Sequence, residues 1–186
     1  MTKTLSDSSS DELSRIAHVL AVLDGRIERL SDDRDDPDYL LFHDVVRFLV
    51  AFPRTAYYPY LDALCDEVLA SRHDLADTVK SLRQTRRSHD ALGLKLCELL
   101  EAAQAGHLVP RDQLMEKSAA YAVTLRTQIL PRYEELLNIA IQELSKPETE
   151  RVRQSCHYAD GSDTHAQERE EWDALYDEIF DTLKAQ

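Results

Sequence analysis

Only four glycines and six prolines punctuate the 186 residues of this chain. No run of alternating β-branched residues bounded by turn residues lies between them. A sheet needs turn residues at short intervals, so this scarcity predicts long helices and an all-α fold. A 43% share of hydrophobic residues is enough to fill one sizeable core, which a chain of this length forms as a single domain.

Helical periodicity and stop signals divide the chain into five segments. Residues 1–8 are polar and are expected to form a disordered tail. Ser9 and Glu12 have capping-box spacing and mark the start of a first helix to Leu30, with Ile16, Val19, Leu20, Leu23 and Ile27 on one side. Asp36 followed by Pro37 has the form of an N-cap and first helical residue, and opens a second helix. Pro53 and Pro59 each remove a backbone donor and crowd the preceding turn, so this helix is expected to kink or break there. A third helix is expected from Asp74 to Ala105, stopped by Gly106. A fourth follows Pro110 and carries Pro131 in its interior. Residues 146–164 are expected to be a connector with at most a short helix. The last helix, 165–186, places Trp172, Leu175, Tyr176, Ile179 and Phe180 on one stripe. Four long helices over residues 9–145, joined by short loops, imply an up-down-up-down bundle with the fifth helix laid on its outside.

Acidic side chains outnumber basic ones 35 to 22, for a formal charge of −13. Such a surface repels phosphate backbones and anionic lipid, which argues against nucleic-acid and membrane partners. The densest basic run, Arg83 to Arg87, is too short to reverse that. The N-terminus has no apolar core of a signal peptide and no window reaches the apolar length of a membrane helix, so a cytoplasmic protein is expected. Cys65, Cys97 and Cys156 lack CxxC spacing and predict neither a disulfide framework nor a zinc site. No GxSxG, Walker A, GxGxxG or HExxH pattern occurs, and no catalytic constellation is found.

Three of the eight tyrosines cluster in AFPRTAYYPYLDAL, residues 51–64. The longer phrase VRFLVAFPRTAYYPYLDAL resembles the second helix of bacterial hemerythrin-like (HHE cation-binding) proteins, with Tyr57 and Tyr58 where that family has two histidines. RSHDALG, from Arg87, is similar to its third-helix phrase, and YAVTLRTQILPRYEELLNIA, from Tyr121, to its fourth. EREEWDALYDEIF is similar to the final helix of one branch. The resemblance implies a hemerythrin-like bundle and, in the family at large, a di-iron site held by imidazoles and carboxylates from several helices.

Six ligand places are implied by that resemblance, and they fall here on Ile16, Tyr57, Leu61, His89, Gln128 and Arg132. Tyr58, Asp62, Tyr121 and Glu135 are their neighbours, with Tyr58 and Asp62 expected on the adjoining, more exposed side of the second helix. Only His89 keeps a ligating side chain of the family's kind. An arginine at a ligand position sets positive charge against a dication, and leucine and isoleucine donate nothing. The resemblance therefore implies a degenerate metal site with no retained metal set and no cofactor. Tyr57, His89, Gln128 and Arg132 are then expected either to enclose a pocket for a small anionic ligand or to form a closed polar network, with Glu135 available to Arg132. The functional expectation is a non-enzymatic ligand-sensing or protein-interaction module. The alternative is an iron or haem protein handling O2, NO or peroxide through His89 and Tyr57.

Overall fold

The structure, a computed structural model, describes residues 5–32, 36–155 and 163–185. Every regular element among them is helical. The elements are α1 (Leu5–Leu30), α2 (Tyr39–Phe52), a π-turn π1 (Pro53–Tyr57), α3 (Tyr58–Ser71), a 3-10 turn (His73–Leu75), α4 (Ala76–Gln104), α5 (Arg111–Thr124), a second π-turn π2 (Leu125–Ile129), α6 (Leu130–Glu143), α7 (Lys146–Ser155) and α8 (Asp163–Ala185). Because α2-π1-α3 and α5-π2-α6 are each unbroken, the described residues form six continuous helices where five were expected. The additional one is the ten-residue α7, in the segment expected to be a connector with at most a short helix.

Several boundaries differ from the sequence expectation for local reasons. The first helix already runs at Leu5, so Ser9 lies inside it and residues 5–8 are not a tail. The cap of α2 is Asp38, whose carboxylate accepts from the Leu41 N–H at 3.0 Å, and Pro37 precedes the cap. The end of α4 is as expected. Gly106 has φ +81°, the Gly106 N–H donates to the Ala103 carbonyl and the His107 N–H to the Ala102 carbonyl, both at 3.0 Å. These are the two bonds of a Schellman motif, which closes the carbonyls a helix end leaves open and favours glycine at that φ.

Both α1 and α4 pack against both α2 and α5, and these four surround one continuous apolar core. Beyond the π-turns, α3 packs directly on α6, and α7 lies on α3. There Val152 is buried and Arg151 grips Glu67 through two hydrogen bonds of 2.9 and 2.8 Å. Helix α8 lies on α2 through the expected aromatic stripe. Trp172 meets the edge of Phe48 at 6.5 Å and Tyr176 tilts against it at 5.8 Å. Contacts to α1 fix its position, an Arg15–Asp173 ion pair and a His18 Nδ1 to Tyr176 hydroxyl hydrogen bond of 3.0 Å. No described helix is long and apolar enough to cross a membrane.

The two π-turns have one cause. Pro59 and Pro131 cannot donate, and a proline ring in a regular helix clashes with the carbonyl four residues earlier. In each case the residue before the proline bonds one position further back than in an α-helix, Tyr58 N–H to the Pro53 carbonyl and Leu130 N–H to the Leu125 carbonyl. The turn widens by one residue and the ring is accommodated without ending the helix. The sequence around the two turns is the same pattern twice, R-T-x-x-x-P-x-x-(D/E)-x-L, from Arg54 to Leu64 and from Arg126 to Leu136. Each pattern threonine bonds back one turn, Thr55 to the Ala51 carbonyl at 3.2 Å and Thr127 to the Val123 carbonyl at 2.8 Å.

Candidate functional site

The π-turns decide which side chains enter the bundle. Each adds one residue to a turn and so rotates everything beyond it by about 100° relative to an unbroken α-helix. On the second helix Tyr57 and Leu61 point inward and are 0% exposed, as does Ile16 on α1. Tyr58, expected on a more exposed side, is also buried. On the fourth long helix the inward residues after Tyr121 are Leu125, Ile129 and Tyr133. Gln128 is exposed, and half-buried Arg132 donates to the Ser81 hydroxyl at 3.2 Å near the surface. Glu135 is exposed and forms no ion pair with Arg132 among the described residues. The four residues expected to share a pocket or network are thus not brought together: an unbroken α-helical phase from Tyr121 would turn the resemblance-implied Gln128 and Arg132 inward, and the π-turn shifts the inward places by one residue.

A different cluster occupies this level of the bundle. Tyr57 meets Tyr133 edge-on with ring centroids 6.0 Å apart, and Tyr58 stacks on Tyr133 at 5.9 Å. The guanidinium of Arg86 lies 4.8 Å from the Tyr58 centroid, a cation–π contact. It also donates to the Tyr133 hydroxyl at 2.9 Å and to both oxygens of Asp62 at 3.0 and 2.8 Å. Arg83 adds bonds to Asp62 at 3.3 Å and Asp66 at 2.8 Å. Two arginines of the short basic run are therefore committed to α3 carboxylates. Burial pushes the Tyr133 phenol up to about 12 despite Arg86, and raises Tyr57 and Tyr58 further. All three phenols stay protonated at neutral pH.

Arg86 and Tyr133 were not singled out from the sequence, although a signal was present. Arg83 and Arg86 are spaced i, i+3 and Asp62 and Asp66 i, i+4, so each pair lies on one helix face.

His89 is kept inside, 2% exposed, but its setting is that of a packing residue. Its ring stacks on Tyr121 at 3.9 Å and its Nε2–H donates to the Tyr121 carbonyl at 3.1 Å. Burial holds its pKa down at about 4, so the ring is neutral and Nδ1 carries a lone pair with no hydrogen-bond partner. The Tyr57 hydroxyl is likewise buried without a hydrogen-bond partner. These two atoms sit in different surroundings. His89 faces Tyr121 on α5, whereas the charges near Tyr57 are the carboxylates of Glu12 and Glu134.

The residues present do not fit a di-iron centre. No group of three or more His, Cys, Asp or Glu side chains converges among the described residues. The positions that would supply ligands hold two apolar groups, a protonated phenol, one imidazole, an amide and a guanidinium.

On the outer side of π1 lies an open depression of about 310 Å³ lined by Arg54, Tyr58, Pro59, Asp62, Arg86 and Asp90. Asp62 and Arg86 satisfy each other there. Arg54 is exposed and Asp90 is half-buried, and the two make no ion pair or hydrogen bond among the described residues. Burial raises the Asp90 carboxyl above the ordinary range, against the opposing pull of Arg54 and Arg86. Comparison of this chain with models of known protein families, with curated proteins and with solved structures finds no match.

Proposed function

We propose that this chain is a non-enzymatic binding module on a hemerythrin-like bundle, in which a packed interior replaces the family's metal and recognition takes place at the surface. The observation that carries this reading is the filling of the interior at the implied ligand level. Ile16, Tyr57 and Leu61 are fully buried, Ile129 and Tyr133 take the inward places, and Gln128 and Arg132 lie outside. An internal anion pocket beside His89 and Arg132 is not supported, because Arg132 bonds Ser81, about two turns of α4 from His89. Anaerobic loading with ferrous iron followed by elemental analysis tests the reading. Sub-stoichiometric iron is expected. About two irons per chain, with an oxo-to-iron charge-transfer band, would overturn it.

A second reading, an iron or haem protein using His89 and Tyr57, is favoured by one observation. Both residues hold a buried polar atom with no hydrogen-bond partner, and such atoms are costly to leave idle. Titration with haem, followed by absorption in wild type and His89→Leu, separates the two. A Soret shift that the substitution abolishes would select the second reading.

A further inference from the structure

A half-buried carboxylate with no hydrogen-bond or ion-pair partner is unfavourable, and an exposed guanidinium at the rim of the same depression is free to meet a ligand. Asp90 and Arg54 are in this position, while Asp62 and Arg86 on the floor already neutralise each other. The floor is otherwise the Tyr58 ring and Pro59, both held in place, Tyr58 by its contacts to Arg86 and Tyr133 and Pro59 by the π-turn it causes. The depression therefore offers one anionic point on a short side chain, one cationic point on a longer side chain, and a small apolar surface from Tyr58 and Pro59. A simple anion would be repelled by Asp90 and a simple cation would leave Arg54 unused.

We propose that this depression binds a small zwitterion, an amino acid or ω-amino acid, with its ammonium on Asp90 and its carboxylate on Arg54. The methylene segment lies on Tyr58 and Pro59. Charge-assisted bonds at both ends set the length of the ligand, because the two protein charges are not in contact with each other. This deepens the reading of the chain as a binding module and rests on it.

Calorimetric titration of the full chain with glycine, β-alanine, 4-aminobutyrate and 5-aminovalerate, and with ethylammonium chloride and sodium acetate as single-charge controls, is the test. Saturable binding is expected for a zwitterion of one preferred length, at least about tenfold tighter than either control. Asp90→Asn and Arg54→Gln are each expected to weaken it by about tenfold or more with unchanged helicity by circular dichroism. No saturable binding of any zwitterion overturns the proposal. So does ethylammonium binding as tightly as the best zwitterion, or binding that survives both substitutions. The iron-loading measurement separates the two levels of inference. Failure of zwitterions to bind with no iron taken up removes this site alone, whereas stoichiometric iron uptake removes the binding-module reading itself.

Discussion

The Tyr121 hydroxyl donates a 2.9 Å hydrogen bond to the Leu49 carbonyl. Leu49 lies four residues before Pro53, which has no N–H to offer it. Tyr121 thus supplies from α5 the donor that α2 lacks, and one tyrosine closes a vacancy that one proline opens.

Tyr121→Phe keeps the ring on His89 and removes only that donor. It is expected to cost about 1–3 kcal/mol in chemical denaturation, the penalty for a stranded buried acceptor. Pro53→Ala restores a backbone N–H at the same place. Its benefit should therefore be larger in the Tyr121→Phe background than in wild type, by about 1 kcal/mol. Equal effects in both backgrounds would show that the two residues do not share the Leu49 carbonyl.

Two glycines inside helices are expected to respond in opposite directions to the same substitution. A Cβ on Gly93 would come within 2.5 Å of Val50 Cγ2 and 2.8 Å of Tyr121 Cε2, both on buried side chains. Gly93→Ala should destabilise by about 1–3 kcal/mol, since overpacking outweighs the gain in helix propensity. At Gly25 in α1 nothing lies within 4 Å of a Cβ, so Gly25→Ala should stabilise by about 0.5–1 kcal/mol. Melting temperatures that move the same way in both variants would contradict the packing at Gly93.

The depressed pKa of His89 has a definite sign in the stability profile. Its folded value, about 4, lies below the ordinary 6.5, so between these values the unfolded chain binds the proton and the folded chain does not. Stability should rise with pH across that window and fall by roughly 3 kcal/mol from pH 6.5 to pH 4 on account of this residue. Asp90, whose carboxyl is raised by burial, takes up its proton more readily when folded and opposes the loss at the acid end. The informative quantity is therefore the difference between His89→Leu and wild type. The variant should have lower stability at pH 7 and a flatter profile between pH 6.5 and 4, and parallel profiles would show that His89 is not held neutral by burial.

The helical class was legible because it depends on what the sequence lacks, and Gly106 was legible because its positive φ is a property of one residue type. The aromatic stripe of Trp172, Tyr176 and Phe180 was legible for a different reason, an uninterrupted 3.6-residue period. The inward face of the fourth long helix was not. Its phase passes through Leu125–Ile129, where one additional residue moves the inward positions from Gln128 and Arg132 to Ile129 and Tyr133. The repeated R-T-x-x-x-P-x-x-(D/E)-x-L pattern was the available signal, since a proline six residues after the start of each π-turn occurs in both copies. The Arg86–Asp62 pair was hidden differently, because it joins helices whose mutual rotation depends on π1.

These corrections change which arginine matters. Arg132 is half-buried with one hydrogen bond to a serine, so Arg132→Leu should alter stability by no more than about 0.5 kcal/mol. Arg86 is 15% exposed and serves Asp62, Tyr133 and the Tyr58 ring together. Arg86→Met fills the same volume but strands the Tyr133 hydroxyl and leaves Asp62 with only the longer 3.3 Å contact from Arg83. About 2 kcal/mol should be lost, moderated because Asp62 is one-third exposed to solvent. Arg86→Lys should recover little of it, since an ammonium cannot span both Asp62 oxygens and the phenol with one planar fork. Adding Tyr133→Phe to Arg86→Met should cost less than Tyr133→Phe alone, because the hydroxyl it removes has already lost its donor. Chemical denaturation of the five variants checks the ordering, and an Arg132→Leu loss equal to that of Arg86→Met would return Arg132 to the interior.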